Sequence, residues 1–288
     1  MASTQQIKGR IRTVKSTKQI TKAMELVAAS KMRKAQEATL RSRAYRNTAR
    51  EILTRLRQLT DVSSFELYRQ RPVKGRLLIL VTSDRGLAGA YNSNMLKTFT
   101  KALEQDHKNG ITTHVLLIGR KGANFAARLK GLNIVGVYET FPDNPSANDL
   151  KPIVDTMTHL FTAKTVDRVD VIFTNYVSSI VQEPTVQTLL PVAFDDAESP
   201  GDLGDVPFEP SPAQVLTTIT PQLLEVQLLQ AFLESSASEH SMRMLAMKNA
   251  SDNASDLIDD LTLEFNNARQ AAITQELAEI TGGAEAIA

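Results

Sequence analysis

The last third of the chain carries a regular spacing of apolar and small side chains. Steps of three and four residues alternate along Met244, Met247, Ser251, Ala254, Ile258, Leu261, Phe265, Ala268 and Ala272. A repeat of 3.5 residues is the seam of a left-handed coiled coil. Serine and alanine in the seam indicate that a partner helix approaches closely. We therefore predict a long C-terminal helix that pairs along this stripe.

The first third also has a helical stripe, but its spacing is less regular. Its apolar members are Ile7, Ile11, Val14, Ile20, Met24, Val27, Met32 and Ala35. The jump from Val14 to Ile20 breaks the heptad. Both stripes could instead be core faces of an ordinary bundle. Their length argues against that alternative.

Between the two ends, short apolar runs alternate with longer amphipathic segments. The pattern predicts strands at 77–81, 115–118, 134–137, 169–173 and 186–190. It predicts helices at 92–107, 121–129 and 150–161. Strands that alternate with helices imply a mostly parallel sheet with helices on its faces, a Rossmann-like layout.

Glycine and proline divide the chain into three parts. None occurs between Gly9 and Pro72 or between Pro221 and Gly282, whereas the mean globular helix has only about 11–12 residues. A wholly helical window of about 60 residues would extend about 90 Å, so parts of it must project or lie inside something else. We predict an N-terminal coiled-coil helix in 1–72, a central Rossmann-like α/β domain in 73–200, and a linker with a C-terminal coiled-coil helix in 201–288.

Charge separates the two terminal segments. Residues 1–57 hold 15 Lys and Arg against three Glu, a net charge of +12, and residues 208–288 hold three basic against 12 acidic residues, a net charge of −9. Helices of opposite sign attract, although each exposed ion pair contributes only about 0–1 kcal/mol. The predicted fold class is therefore α/β, with a long antiparallel coiled coil of the N- and C-terminal helices plus the central domain.

The composition excludes several kinds of functional site. The chain has no cysteine, which excludes a disulfide framework, a thiolate metal site and a cysteine nucleophile. Its four histidines show no metal-ligand spacing. No apolar run approaches the roughly 20 residues of a membrane span, and the N-terminus lacks an apolar signal core. We predict no catalytic, cofactor-binding or metal-binding residue, and a cytoplasm-like compartment.

Two loops of the predicted sheet favour an alternative function, a nucleotide-binding α/β enzyme. Residues 83–90 and 119–122 contain glycines and follow predicted strands, where ligands of such sheets usually bind. Neither loop matches a dinucleotide-binding or P-loop motif. The glycines are more simply explained by tight turns from strand to helix.

The basic N-terminal segment favours another alternative, a nucleic-acid-binding coiled-coil protein. Arms rich in Lys and Arg bind phosphate. The acidic C-terminal helix would compete for the same charges, however, and no aromatic residues interleave them for base stacking.

Three motifs resemble the gamma subunit of F-type ATP synthases, in its bacterial form. They are ITKAMELVAASKMRK at 20–34, SEHSMRMLAMKNA at 238–250, and NARQAAITQELAEI at 267–280 followed by Gly282, Gly283 and Ala284. The loop at 82–89 matches in part, and the similarity runs from end to end. Where many relatives have Cys and Gly, this sequence has Ala88 and Ala90, which removes any thiol chemistry from that loop.

The resemblance implies a central rotor shaft that transmits torque and does no ATP chemistry itself. In the family, the terminal helices wind together inside a ring of three alpha and three beta subunits. The globular domain lies near the epsilon subunit and the membrane ring of c subunits. The resemblance thus implies alpha, beta, epsilon and c-ring partners, one copy per complex, no cofactor, and a peripheral position on the cytoplasmic face of the bacterial inner membrane.

The resemblance also implies which residues meet the partners. The expected contacts with the alpha–beta ring are Lys22, Met24, Lys31, Arg33, Arg243, Arg269, Gln270 and Thr274. With a weaker match, Phe208 and Glu209 correspond to the foot near the c ring.

Overall fold

The computed structural model describes residues 4–142, 145–193, 208–209 and 211–285. In chain order, its helices are α1 (Thr4–Leu59), α2 (Tyr91–Lys108), α3 (Arg120–Ala126), α4 (Ala147–Thr162) and α5 (Pro212–Glu285). Its strands are β1 (Gly75–Val81), β2 (Thr112–Ile118), β3 (Asn133–Tyr138), β4 (Arg168–Tyr176) and β5 (Gln182–Leu190). Most of the predicted linker lies outside the described residues.

The chain divides into two compact units. The first unit consists of residues 1–28 and 243–288, and the second consists of residues 29–242. Both α1 and α5 therefore contribute to both units. The predicted domain boundaries near residues 72 and 200 stay a prediction.

The second unit contains a five-stranded sheet in the order β3-β2-β1-β4-β5. The first four strands are parallel, and β5 runs antiparallel to β4. The turn at 177–181 is too short for a crossover connection, so it can join only antiparallel strands. The predicted mostly parallel sheet is confirmed, and each predicted strand falls within an observed one.

Alternate residues of the buried strands serve two separate cores. Leu77, Ile79 and Val81 of β1 enter a core that also contains side chains of α1, α4 and α5. Leu78 and Leu80 enter a second core with side chains of α2 and α3. Successive side chains of a strand point to opposite faces, so helices cover both faces of the sheet. This explains the near-continuous apolar runs that predicted the strands.

In the first unit, the segments of α1 and α5 pair. Because α1 leads into the second unit and α5 leads out of it, the two segments are antiparallel. On α5 the predicted seam is confirmed from Met244 to Ala268, since all its members there are buried or half-buried, whereas Ala272 is exposed. The Nζ atom of Lys18 donates a hydrogen bond to Ser255 Oγ at 2.9 Å, which fixes the register of the pair.

The seam of α1 differs from the expected one. The expected break after Val14 is wrong, because Ile20 and Val27 are 58% and 56% exposed. Buried and half-buried residues instead continue in steps of four and three: Ile7, Ile11, Val14, Lys18, Thr21, Glu25 and Ala28. Lys18 can occupy the seam because its stem is apolar while its amine reaches Ser255. The heptad is therefore continuous, but three of its positions, Lys18, Thr21 and Glu25, are polar.

The breaker-free windows do not coincide with the helices. Helix α1 ends at Leu59, and two short 3₁₀ turns, Val62–Ser64 and Glu66–Tyr68, follow before Pro72. In the second unit, the Tyr68 hydroxyl is buried and lies 2.7 Å from Thr220 Oγ1 of α5. Burial raises the pKa of Tyr68, and the hydrogen bond to Thr220 partly opposes that shift. Helix α5 begins nine residues before Pro221 and runs through it.

Candidate functional site

Among the described residues, no part of α1 lies opposite the last turns of α5. In an antiparallel pair, each step back along α1 matches one step forward along α5. Since Lys18 contacts Ser255, Thr4, where the described part of α1 begins, lies level with Arg269. Every residue from Arg269 to Gly282 is exposed. We call residues 269–282 the tip.

One face of the tip is apolar despite its exposure. Ile273, Leu277 and Ile280 are 49%, 59% and 68% exposed. Their spacing of four and three residues places them on the same side of the helix. Contiguous exposed apolar groups indicate an interaction surface. We call these three residues the tip stripe. The sequence carried a signal for it, because apolar residues spaced three and four apart continue beyond Ala272, shifted by one residue from the seam.

An outward apolar stripe also lies on α1 in the first unit. Ile20, Ala23 and Val27 are exposed and spaced three and four residues apart. They face away from the seam that Lys18 and Thr21 occupy. Ile20 and Val27, which the sequence pattern placed in the pairing stripe, are therefore available to another protein.

The predicted ring contacts fall into an exposed group and two exceptions. The exposed residues are Lys22, Lys31, Arg33, Arg269, Gln270 and Thr274, whereas Met24 is half-buried and Arg243 is only 9% exposed. Lys22 forms an ion pair of 3.0 Å with Glu25 on the same helix. The structure brings Arg269, Gln270 and Thr274 together at the start of the tip, where Thr274 Oγ1 donates to the Gln270 carbonyl at 2.9 Å.

The predicted foot residues lie just before α5, in the second unit. Phe208 is half-buried and packs against the core that contains Leu216 and Leu224. Glu209 is exposed. The neighbouring residues 194–207 and 210 lie outside the described residues.

The polar groups of the loops after β1 and β2 form hydrogen bonds with each other. The Thr82 hydroxyl donates to the Ile118 carbonyl at 2.9 Å and accepts from the Gly122 amide at 2.8 Å. Gly119 has a φ of +94°, and a Cβ at this residue would collide with the Thr82 carbonyl. The glycines thus permit a close approach of two turns, as expected, and the geometry gives no support to a nucleotide site.

In a buried cluster of charged side chains beneath α2, the carboxylates also find their hydrogen-bond donors within the cluster. Asp170 is fully buried and accepts from the Nε atoms of Arg76 and Arg168, while the Thr188 hydroxyl donates to its other oxygen at 2.7 Å. Asp106 accepts from Arg76 Nη1 at 2.9 Å and from the Thr113 hydroxyl at 3.0 Å. Every carboxylate oxygen has a donor, so the cluster ties β1, β4 and α2 together.

Among the described residues, no group of three or more His, Cys, Asp or Glu side chains could hold a metal ion. None of the described helices is long and apolar enough to cross a membrane.

The sequence matches a family model described as ATP synthase over residues 3–287. It is similar to proteins named ATP synthase gamma chain along their whole length. The chain from Roseiflexus castenholzii is 42% identical over 291 residues, which cover 100% of this chain and 99% of that one. The chains from Moorella thermoacetica and Staphylococcus haemolyticus are 40% and 37% identical, with full coverage of both partners.

Solved structures give a consistent comparison. A chain from the Tetrahymena thermophila mitochondrial ATP synthase, central stalk and c-ring, is 25% identical with a TM-score of 0.58, covering 81% of this chain and 99% of that chain. A chain from the Euglena gracilis mitochondrial ATP synthase, in an assembly of OSCP, F1 and c-ring, has a TM-score of 0.67 at 16% identity, covering 99% and 94%. The second likeness concerns the fold alone.

Proposed function

This chain belongs to the family of ATP synthase gamma chains, and from that premise we propose which of its surfaces meet the other subunits. A gamma chain is a non-catalytic subunit of the central stalk. It is the rotor that transmits torque between the membrane c ring and the catalytic alpha–beta ring during ATP synthesis or hydrolysis. The nucleotide-enzyme and nucleic-acid alternatives are not favoured.

The exposed tip is the observation on which the proposal rests. An exposed single helix with Ile273, Leu277 and Ile280 on one face would be unfavourable in water, because each buried aliphatic side chain contributes about 1.5–3 kcal/mol. We assign the tip to the interior of the alpha–beta ring, where an apolar sleeve would cover the stripe. Apolar contacts are non-directional, so such a bearing can hold the axle in place while it turns.

Charged and polar contacts would supply the steps of the rotation. Lys22, Lys31, Arg33 and Arg269 present cations to the ring, and Gln270 and Thr274 present hydrogen-bonding groups. Exposed ion pairs are worth only about 0–1 kcal/mol each, so acidic loops of the ring can engage and release them every third of a turn. We assign Met24 and Arg243 to the same contacts, although Arg243 would have to change its present buried arrangement to reach a partner.

The second unit would face the membrane ring. We assign Phe208 and Glu209 to the foot near the c ring, and the sheet unit to the neighbourhood of the epsilon subunit. One gamma chain would serve each complex. The protein is part of the membrane-bound synthase, and we place it on the cytoplasmic face of a bacterial inner membrane, in contact with the bilayer only through the c ring.

Purification of the complex tests the function and the bearing separately. The unaltered chain should recover alpha and beta subunits, and ATP hydrolysis by the purified complex should depend on it. Failure to associate would refute the rotor assignment. A variant with I273S, L277S and I280S should assemble more weakly and hydrolyse ATP more slowly. Ile180→Ser is the matched control, because Ile180 is 79% exposed on the β4–β5 turn; equal behaviour of the two variants would refute the bearing.

A further inference from the structure

Three serines of α5 are buried at intervals of three residues and face the sheet. Ser235 and Ser241 are fully buried in the second unit, as is Ser238 between them. We call these three residues the serine ladder. Serine is a poor core residue, since a buried hydroxyl needs a partner. Each member of the ladder has one outside its own helix.

The first two members complete the hydrogen bonding of Thr174. The Thr174 amide donates to Ser235 Oγ at 3.3 Å, and the Thr174 carbonyl accepts from Ser238 Oγ at 3.3 Å. Pairing of β4 with β1 ends two residues earlier, at Ile172. Helix α5 therefore satisfies backbone groups that a neighbouring strand would otherwise satisfy.

The ladder continues beyond Thr174 in both directions. Ser241 Oγ donates to the Ser179 carbonyl at 2.8 Å and accepts from Gln182 Nε2 at 3.4 Å. At the other end, the hydroxyls of Ser235 and Tyr91 lie 2.7 Å apart. Helix α5 is thus joined to β4, to the β4–β5 turn and to the first residue of α2.

We propose that the serine ladder fixes the rotational register of α5 on the sheet unit and so carries torque between that unit and the helix. This role rests on the rotor function. Apolar packing alone resists separation but has no preferred direction, whereas hydrogen bonds weaken steeply when their angle or distance changes. A twist of α5 about its axis would break the bonds at Thr174 and Ser179 together. The ladder residues are positioning residues and touch no nucleotide.

The chain offers a close control for this role. Ser236 is also buried on the same turn of α5, but its side chain makes no hydrogen bond with any residue that the structure describes. Replacing Ser236 by Ala therefore removes the same hydroxyl group without loosening the helix from the sheet.

The test uses the complete synthase in sealed vesicles. ATP hydrolysis and ATP-driven proton pumping are measured together for S235A/S238A/S241A and for S236A. We expect the displaced register to gain about fivefold in population for each hydrogen bond lost. The triple variant should then pump severalfold fewer protons per ATP hydrolysed, while its rate of ATP hydrolysis without a gradient stays unchanged. For S236A, the number of protons pumped per ATP hydrolysed should equal that of the unaltered chain.

A second measurement keeps the proposal open to refutation if the triple variant does not assemble. Spin labels at T218C and E183C report the distance between exposed sites of α5 and β5, since the chain has no other cysteine. Within the complex, S238A alone should broaden that distance distribution. Pumping ratios and distances equal to those of S236A would overturn the proposal. A complex of the unaltered chain that fails to pump would instead refute the rotor function.

Discussion

Helix α5 contains two stretches with opposite surroundings. From Gln230 to Ser238 every residue is buried, and from Arg269 to Gly282 every residue is exposed. The buried stretch contains Gln230, Glu234 and four serines when extended to Ser241, whereas the exposed tip contains two isoleucines and a leucine. Beside apolar residues such as Phe232 and Leu233, the buried stretch thus holds polar side chains inside, whereas the tip holds large apolar side chains outside, against the usual preference of each.

The contrast indicates that the two stretches have different partners. The buried stretch meets the sheet of its own chain, and the hydroxyls of the serine ladder bond to backbone groups there. Every residue of the tip is exposed among the residues that the structure describes, and we propose that its apolar face meets other subunits. The two stretches should therefore respond differently to the same substitution.

The largest effect is expected in the buried region. Leu228 is fully buried in the core beneath the sheet, so Leu228→Ala leaves a cavity and should lower the free energy of unfolding by about 2–5 kcal/mol. Urea unfolding of the purified chain measures the change. A loss of no more than about 0.5 kcal/mol, the range of a surface change, would show that this part of α5 is not packed as described.

A smaller effect is expected where α5 meets the residues before β1. Tyr68→Phe removes the hydrogen bond to Thr220 and should cost about 1 kcal/mol at neutral pH. Because burial raises the Tyr68 pKa, the protonated hydroxyl stabilises the fold below the unfolded pKa, and this contribution is lost as pH rises through the folded pKa. Stability of the unaltered chain should therefore fall more steeply above about pH 10 than that of Tyr68→Phe. Parallel pH profiles would contradict the buried position of Tyr68.

The smallest effect on folding is expected at the tip. Leu277→Ala makes the same chemical change as Leu228→Ala, but at an exposed residue, and should alter the stability of the isolated chain by no more than about 0.5 kcal/mol. Deletion of residues 277–288 should likewise leave the circular dichroism of the sheet unit intact. A large loss in either case would show that the tip packs against its own chain.

The sequence predicted the sheet well because its strands are buried on both faces. Runs such as Leu77–Val81 can hardly be anything but central strands, and the predicted helices between them fall close to α2, α3 and α4. The C-terminal seam was equally readable, because Met247, Ala254 and Leu261 keep a strict spacing. The antiparallel direction of β5 depends on the short turn before it, which the strand pattern does not encode.

The seam of α1 could not be read from hydrophobicity. Lys18 and Thr21 occupy seam positions, while Ile20 and Val27 point outward, so an apolar count places the stripe on the wrong residues. The serine ladder was also missed, because its members depend on where the pairing of β1 with β4 ends, at Ile172, which hydrophobicity does not reveal. Contacts with other subunits leave only indirect signals in one chain, and the exposed tip stripe is the clearest of them.

The central claim is that this chain turns relative to the alpha–beta ring. The absence of cysteine allows one probe to be attached through K97C, at an exposed residue of α2. With the ring fixed to a surface, ATP should drive the probe in one direction, in steps of a third of a turn. Sustained ATP hydrolysis with a probe that stays still, or that moves equally in both directions, would contradict the account.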